Sequence, residues 1–181
     1  MKKTVLIITA LIGVIGFMNA QEAKIKSMLV ASEAFADGET IPDDFACISC
    51  NGKNFSPPLS WEKIDKTVTY ALICEDPDVS NGPYIHWIAF NIPADVTQLP
   101  QQAEIQYHGG SEGTNTAGTV GYTGPCPPAR ENHHYIFTVW ALDRKLNLPE
   151  TVTVTEFKKS FDEHIIAKGS VTGRYMCKTK Q

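Results

Sequence analysis

A chain of 181 residues that is 43% hydrophobic and 20% charged has the length and composition of one globular domain with its own core, which excludes a disordered chain and a bundle of membrane spans. Its formal charge is −4, from 16 basic against 20 acidic residues. No basic stripe is left to neutralise a run of phosphates, so nucleic acid is excluded as a partner.

Lys2 and Lys3 precede an apolar run from Val5 to Met18 that closes on the small residues Asn19 and Ala20, the order of a secretory signal. Cleavage is expected before Gln21, with residues 21–181 as a single domain. The apolar run is shorter than the roughly 20 residues a spanning helix needs, and polar Gln21-Glu22 follows at once, so the mature chain is read as periplasmic or secreted and not membrane-spanning. Loss of Lys2 and Lys3 leaves 14 basic against 20 acidic residues, a net charge of −6.

Lys24 to Ser32 reads as a weak first strand. Ala36 to Pro58 reads as loop, because Asp37-Gly38, Ile41-Pro42, Asn51-Gly52 and Pro57-Pro58 leave no room for a regular element. Cys47-Ile48-Ser49-Cys50 in that loop is a C-x-x-C. A redox pair wants it at a strand-to-helix step and a zinc site wants a second ligand pair, so neither reading has its context here. A structural disulfide is expected instead, within the motif or to Cys126, with at least one bridge using Cys50. Because Cys47, Cys50, Cys74, Cys126 and Cys177 make an odd number, at least one is left unpaired or intermolecular.

Leu59 to Trp61 opens a short strand, and Thr67 to Cys74 is a central one, apolar on both faces. It runs into Glu75-Asp76-Pro77-Asp78, where Pro77 holds Asp76 extended and gives Asp76 and Asp78 a fixed relative aim. Beyond the turn at Asn81-Gly82-Pro83, alternation from Tyr84 to Ile92 puts Tyr84, His86, Ile88 and Phe90 on one face, so Asp76 and His86 are expected to meet.

Gln101 to Asn132 carries no secondary-structure signal, and its glycines up to Gly124 are expected to bring backbone N–H groups close to an anion. A buried strand then runs to Leu142 with Tyr135, Phe137, Val139 and Ala141 on one face, presenting His133, His134 and Tyr135 from a rigid edge. Thr153 to Glu156 is a capping box, and Phe157, Phe161 and Ile165 continue an amphipathic helix to Gly169, before a last strand from Ser170 to Cys177. His164 has no visible partner and is read as structural.

Asn54-Phe55-Ser56-Pro57-Pro58-Leu59-Ser60-Trp61, Asp76-Pro77-Asp78, Tyr84-Ile85-His86-Trp87, Gly121-Tyr122-Thr123-Gly124-Pro125-Cys126-Pro127-Pro128 and His133-His134-Tyr135, in that order, resemble the phosphatidylethanolamine-binding protein family, the Raf kinase inhibitor-like proteins, and its bacterial branch in particular. The resemblance covers nearly all of the exported chain. It implies a mainly β, antiparallel, sandwich-like fold with one C-terminal amphipathic helix and long loops. It also implies a surface pocket for a small anion or phosphorylated headgroup, without a cofactor, and in some relatives regulation of a kinase or protease.

Carried over by motif, the pocket is lined by Asp76, Tyr84, His86, Gly124, Pro125, His133 and Tyr135, with Asp78 and Tyr122 as further ligand-binding candidates from the same blocks. The chain departs from the branch at Cys47, an extra cysteine before Cys50. Imidazoles, phenols and loop N–H groups can donate to phosphate oxygens, while a carboxylate that accepts from an imidazole favours its protonated form. The resemblance implies binding rather than catalysis; the residue types alone permit both, though no G-x-S-x-G elbow is present for a serine hydrolase. The alternative is a metal-dependent hydrolase holding an ion on Asp76, His86 and His133.

Overall fold

The computed structural model describes residues 25–178; the leader expected over residues 1–20 lies outside them. Among the described residues, nine strands make two sheets: β1 (Lys26–Ser27), β2 (Val30–Ala31), β3 (Leu59–Trp61), β4 (Thr69–Asp76), β5 (Tyr84–Pro93), β6 (Gln98–Leu99), β7 (Ser111–Glu112), β8 (Asn132–Leu142) and β9 (Ile165–Met176). The larger sheet has the order β1-β9-β8-β4-β5-β7 and the smaller β2-β3-β6. Every pairing is antiparallel except that of β1 with β9. The fold is mainly β, with one short helix, α1 (Val154–Lys159), towards the C-terminus.

Strands β4 and β8 lie inside the large sheet and are apolar on both faces because both are covered. Tyr70, Leu72, Cys74, Tyr135, Phe137 and Val139 pack towards Val30, Leu59 and Trp61 of the small sheet. On the opposite face Ala71, Ile73, Ile88, Phe90, Trp140 and Leu142 meet Phe157 and Phe161, with ring centroids 5.9 Å apart for Phe90–Phe157 and 5.3 Å for Trp140–Phe161. Burial of each of those phenylalanines contributes about 1.5–3 kcal/mol.

Several boundaries differ from the sequence reading. The first strand is two fragments in different sheets, split at Met28 and Leu29, because β1 follows β9 while β2 crosses to β3. The loop from Ala36 to Pro58 holds two 3₁₀ turns, Asp43–Phe45 and Ile48–Cys50, the second ended by Asn51 at φ 63°. The long connection before β8 holds a further 3₁₀ turn, Ile105–His108, and β7, which pairs with the exposed edge of β5.

The capping box forms, but the helix stops at Lys159 and Gly169 belongs to β9. Pairing along the length of β8 outweighs continuation of a helix, and Gly169 is needed where β9 passes against the Met28 carbonyl, leaving no room for a Cβ. His164 does have partners, Asp143 Oδ1 at 2.9 Å and Arg144 Nη1 at 3.0 Å, just past the end of β8 opposite to His133.

The cysteines pair as Cys47–Cys126 and Cys50–Cys177, with Cα atoms 5.5 and 5.4 Å apart. The local Cys47–Cys50 alternative is not formed, and Cys177 is a partner that spacing did not identify. The Ile48–Cys50 turn packs on the end of β9, which no local pattern shows. Cys74 is the unpaired one, buried in β4. Bridges of this span are each worth on the order of 4 kcal/mol in the chain-entropy account.

Candidate functional site

The site forms where β4, β5 and β8 end together under the Gly/Pro loop. Asp76 closes β4. Its Oδ1 accepts the Asp78 N–H at 2.9 Å, a turn that Pro77 makes, and its Oδ2 accepts from His133 Nδ1 at 2.7 Å. Both side chains are buried, at 3% and 8% exposure, so this ion pair is shielded from water. His133 Nε2 lies 3.3 Å from Glu131 Oε2. Burial alone would lower the His133 pKa, but the bonds to Asp76 and Glu131, with the charges of Asp76 and Asp78, outweigh it and raise the value above that of an ordinary imidazole.

His86 is held in the opposite sense. Its Nδ1 donates to the Thr123 carbonyl at 2.7 Å, which fixes the tautomer and leaves Nε2 as an acceptor in the neutral ring. Burial lowers its pKa more than the Thr123 and Gly124 carbonyls and the Asp76 charge raise it. The ring is caged by Tyr84, centroid 4.8 Å away, and by Tyr135, edge-on at 5.1 Å.

A break in strand alternation puts His86 there. The β4–β5 ladder pairs Cys74 with Trp87 but Glu75 with Ile85, so His86 is a bulged extra residue and turns to the same layer as Trp87. Strict alternation instead joined His86 to Ile88 and Phe90, which face the helix side. Trp87 is fixed beyond the bulge by its Nε1–H on Glu112 Oε1 at 2.7 Å.

The Tyr135 hydroxyl is buried and makes no hydrogen bond. Burial and then the nearby Asp76 charge push its ionisation far up, so it stays a neutral donor. Beside these groups is a cavity of about 360 Å³ lined by Asp76, Val79, Tyr84, His86, Thr123, Cys126, Pro127, Pro128 and His133.

Other candidates fall outside that cavity lining. Asp78 accepts the His134 backbone N–H at 2.7 Å and Nδ1 at 2.8 Å on the exposed side, and the backbone bond chiefly lowers its pKa. Tyr122 donates to the Phe45 carbonyl at 3.0 Å, stacks edge-on against Trp87 and lines a neighbouring cavity. Gly124 donates to Asn54 Oδ1 at 2.8 Å and lies so close to the Phe45 carbonyl that a Cβ would collide. The Pro125 carbonyl accepts the Cys47 N–H at 3.0 Å.

The expectation that the glycine loop offers free N–H groups is therefore corrected at Thr123 and Gly124, whose N–H groups serve the scaffold. The expected Asp76–His86 contact is replaced by Asp76–His133. Val79 and Glu131 had no sequence signal, whereas Thr123, Pro127 and Pro128 stood in the quoted motif. A larger groove of about 730 Å³ lies beside the small sheet, lined by Glu33, Asp95 and His108 among others. None of its ionisable residues is buried, in contrast to Asp76, His86 and His133 at the smaller cavity.

The metal-hydrolase alternative is not supported by this geometry. Both Asp76 oxygens are already engaged, Oδ1 by the Asp78 N–H and Oδ2 by His133 Nδ1, so this carboxylate is not a free third ligand. Among the described residues, the potential ligand atoms that cluster belong to Cys47, Cys50 and Cys126.

Comparison with known proteins agrees with the motifs. The profile described as phosphatidylethanolamine-binding protein matches residues 31–176. A UPF0098 protein of Methanothermobacter thermautotrophicus is 36% identical, the match covering 82% of this chain and 98% of the relative. A Mycobacterium tuberculosis protein whose name, LppC, marks it as a proposed lipoprotein is 35% identical, over 82% and 72% of the two chains. Among solved structures, a proposed phosphatidylethanolamine-binding protein homolog from Chlamydia trachomatis superposes with TM-score 0.75 at 38% identity, covering 83% of this chain and 97% of that one. Escherichia coli YbcL, described as a member of the mammalian family, does so with TM-score 0.76 at 30% identity, covering 83% and 98%.

Proposed function

The chain belongs to the phosphatidylethanolamine-binding protein family, and on that premise we propose that it is an exported, non-catalytic binding protein whose cavity takes a small anion or a phosphorylated headgroup. The observation that carries the reading is the buried Asp76–His133 pair, 2.7 Å long, at the wall of a cavity of about 360 Å³. A carboxylate that keeps an imidazole charged there supplies a cationic donor at Nε2 once a ligand oxygen displaces the exposed Glu131 carboxylate from it, and such charge-assisted bonds hold phosphate oxygens strongly.

The other groups favour an amphoteric ligand. His86 Nε2, as acceptor, suits a P–OH or an ammonium, whereas the Tyr135 hydroxyl is buried behind the cavity lining. A kinase or protease partner would engage the same mouth through a phosphorylated or carboxylate-bearing side chain. Export draws support from the basic-then-apolar start and from two disulfides. Mass spectrometry of the envelope fraction should find a chain beginning at Gln21; an intact Met1 on cytosolic protein rejects export.

Calorimetric titration with phosphoethanolamine across the imidazole range, with and without chelator, tests the cavity. Binding should strengthen as pH falls towards the protonation range of His133 and ignore the chelator. Binding that tightens towards neutral pH and vanishes with chelator would instead mean a metal site.

A further inference from the structure

The four paired cysteines are gathered more closely than two bridges require. The Sγ atoms of Cys47, Cys50 and Cys126 all lie within 4.8 Å of one another, although Cys47 is bonded to Cys126 and Cys50 to Cys177. Both sulfurs of one bridge therefore have a sulfur of the other as a neighbour. Their access to solvent is unequal. Cys126 is half-buried and lines the cavity, whereas Cys47 is 8%, Cys50 6% and Cys177 0% exposed. The Ser49 hydroxyl lies 3.2 Å from Cys47 Sγ and 3.2 Å from Cys126 Sγ, placed to donate to whichever sulfur gains charge.

We propose that this cluster is a thiol–disulfide exchange site for small dithiols, entered from the cavity at Cys126, whose product is a Cys47–Cys50 bridge. A thiolate of the dithiol attacks Cys126 Sγ, and the bond to Cys47 breaks with its electron pair left on Cys47. The Cys47 thiolate attacks Cys50 Sγ across the C-x-x-C turn, and the Cys50–Cys177 bond breaks with its pair on Cys177, which takes a proton. The dithiol's second thiol, deprotonated, then attacks its own sulfur in the mixed disulfide and expels Cys126, which takes the other proton. The dithiol is thereby oxidised by two electrons to its disulfide. One of the two protein disulfides is reduced, to thiols at Cys126 and Cys177.

Two features direct the sequence. Exchange requires a reachable sulfur, and Cys126 is the exposed member of the cluster. The Ser49 hydroxyl stabilises the departing Cys47 thiolate, which makes it a better leaving group. Ser49 is a positioning residue here, since it acts through the sulfur. Release of Cys126 also removes the covalent tie between the cavity wall at Cys126-Pro127-Pro128 and the Cys47 loop, leaving the Cys47 N–H bond to the Pro125 carbonyl.

The test is to treat the exported chain with one equivalent of dithiothreitol, quench with acid, alkylate, and map peptides without reduction. Label on Cys126 and Cys177 together with a Cys47–Cys50-linked peptide is the expected result. Ser49→Ala should give the same product a few-fold more slowly. In the double variant Cys50→Ser, Cys177→Ser the second step is removed, and label should fall on Cys47 and Cys126. Label on that pair in the unaltered chain, label on Cys50 and Cys177 with Cys47–Cys126 intact, or no reaction would each overturn the proposal. The readout does not depend on anion binding, so failure of either reading leaves the other standing.

Discussion

Two aspartate–histidine pairs stand side by side at one end of the large sheet, Asp76–His133 at 2.7 Å and Asp78–His134 at 2.8 Å. Successive residues of β8 point to opposite faces, so one pair is turned under the Gly/Pro loop and the other towards solvent. Side-chain exposure is 3% and 8% in the first pair against 37% and 43% in the second. The same chemistry at the same distance thus differs in what water can do to it. In the buried pair the carboxylate controls the imidazole's charge, while in the exposed pair solvent screens most of the attraction. Function is expected from the first, local fastening of a turn from the second.

The sharpest way to break this contrast is to remove one buried partner. Asp76→Ala leaves His133 without its buried counter-charge and frees the Asp78 N–H, and should destabilise the chain by about 3–5 kcal/mol, measured by urea unfolding. A loss below about 1 kcal/mol would make the two pairs equivalent. His133→Ala should weaken phosphoethanolamine binding by about 1.5–3 kcal/mol, roughly ten- to hundredfold in Kd by calorimetry, as one charge-assisted bond is lost. An unchanged Kd removes His133 from the ligand site.

Acidity separates the histidines further. The His133 pKa is raised in the folded chain, so its contribution to stability is complete below its unfolded value of 6.5 and is lost as pH climbs through the raised folded value. The lowered His86 behaves oppositely: its contribution is present above 6.5 and is lost as pH falls through its folded value. Urea midpoints measured over that range should lose their alkaline decline in His133→Gln. A slope unchanged by the substitution would assign it to other groups. At the small end, His134→Ala should cost no more than about 1 kcal/mol, because an exposed pair contributes little. Phosphoethanolamine affinity should be the same as in the unaltered chain, and a tenfold loss would bring the outer pair into the site.

Much of this arrangement was legible before folding. The all-apolar run into Asp76 and the alternation from Tyr135 to Leu142 mark β4 and β8, since a strand covered on both faces must be apolar on both. The capping box at Thr153 and Glu156 is a local device and formed as read. Extension of α1 to Gly169 failed because Phe157, Phe161 and Ile165 match a helical period, yet Ile165 begins the partner strand that β8 required. Local pattern could not weigh that competition.

The site divides in the same way. Residue types and their order along the chain, Asp76, His86, His133 and Tyr135 among Gly and Pro motifs, are properties of the sequence, and they suffice for the family. Which groups touch is not. The partner of Asp76 was decided by the β4–β8 register, the aim of His86 by a bulge, and the partners of Cys47 and Cys50 by where the 3₁₀ turn meets β8, β9 and the loop. Each is a contact between segments tens of residues apart, whose geometry is fixed by backbone pairing and core packing rather than by spacing along the chain, and only the assembled sheets could settle it.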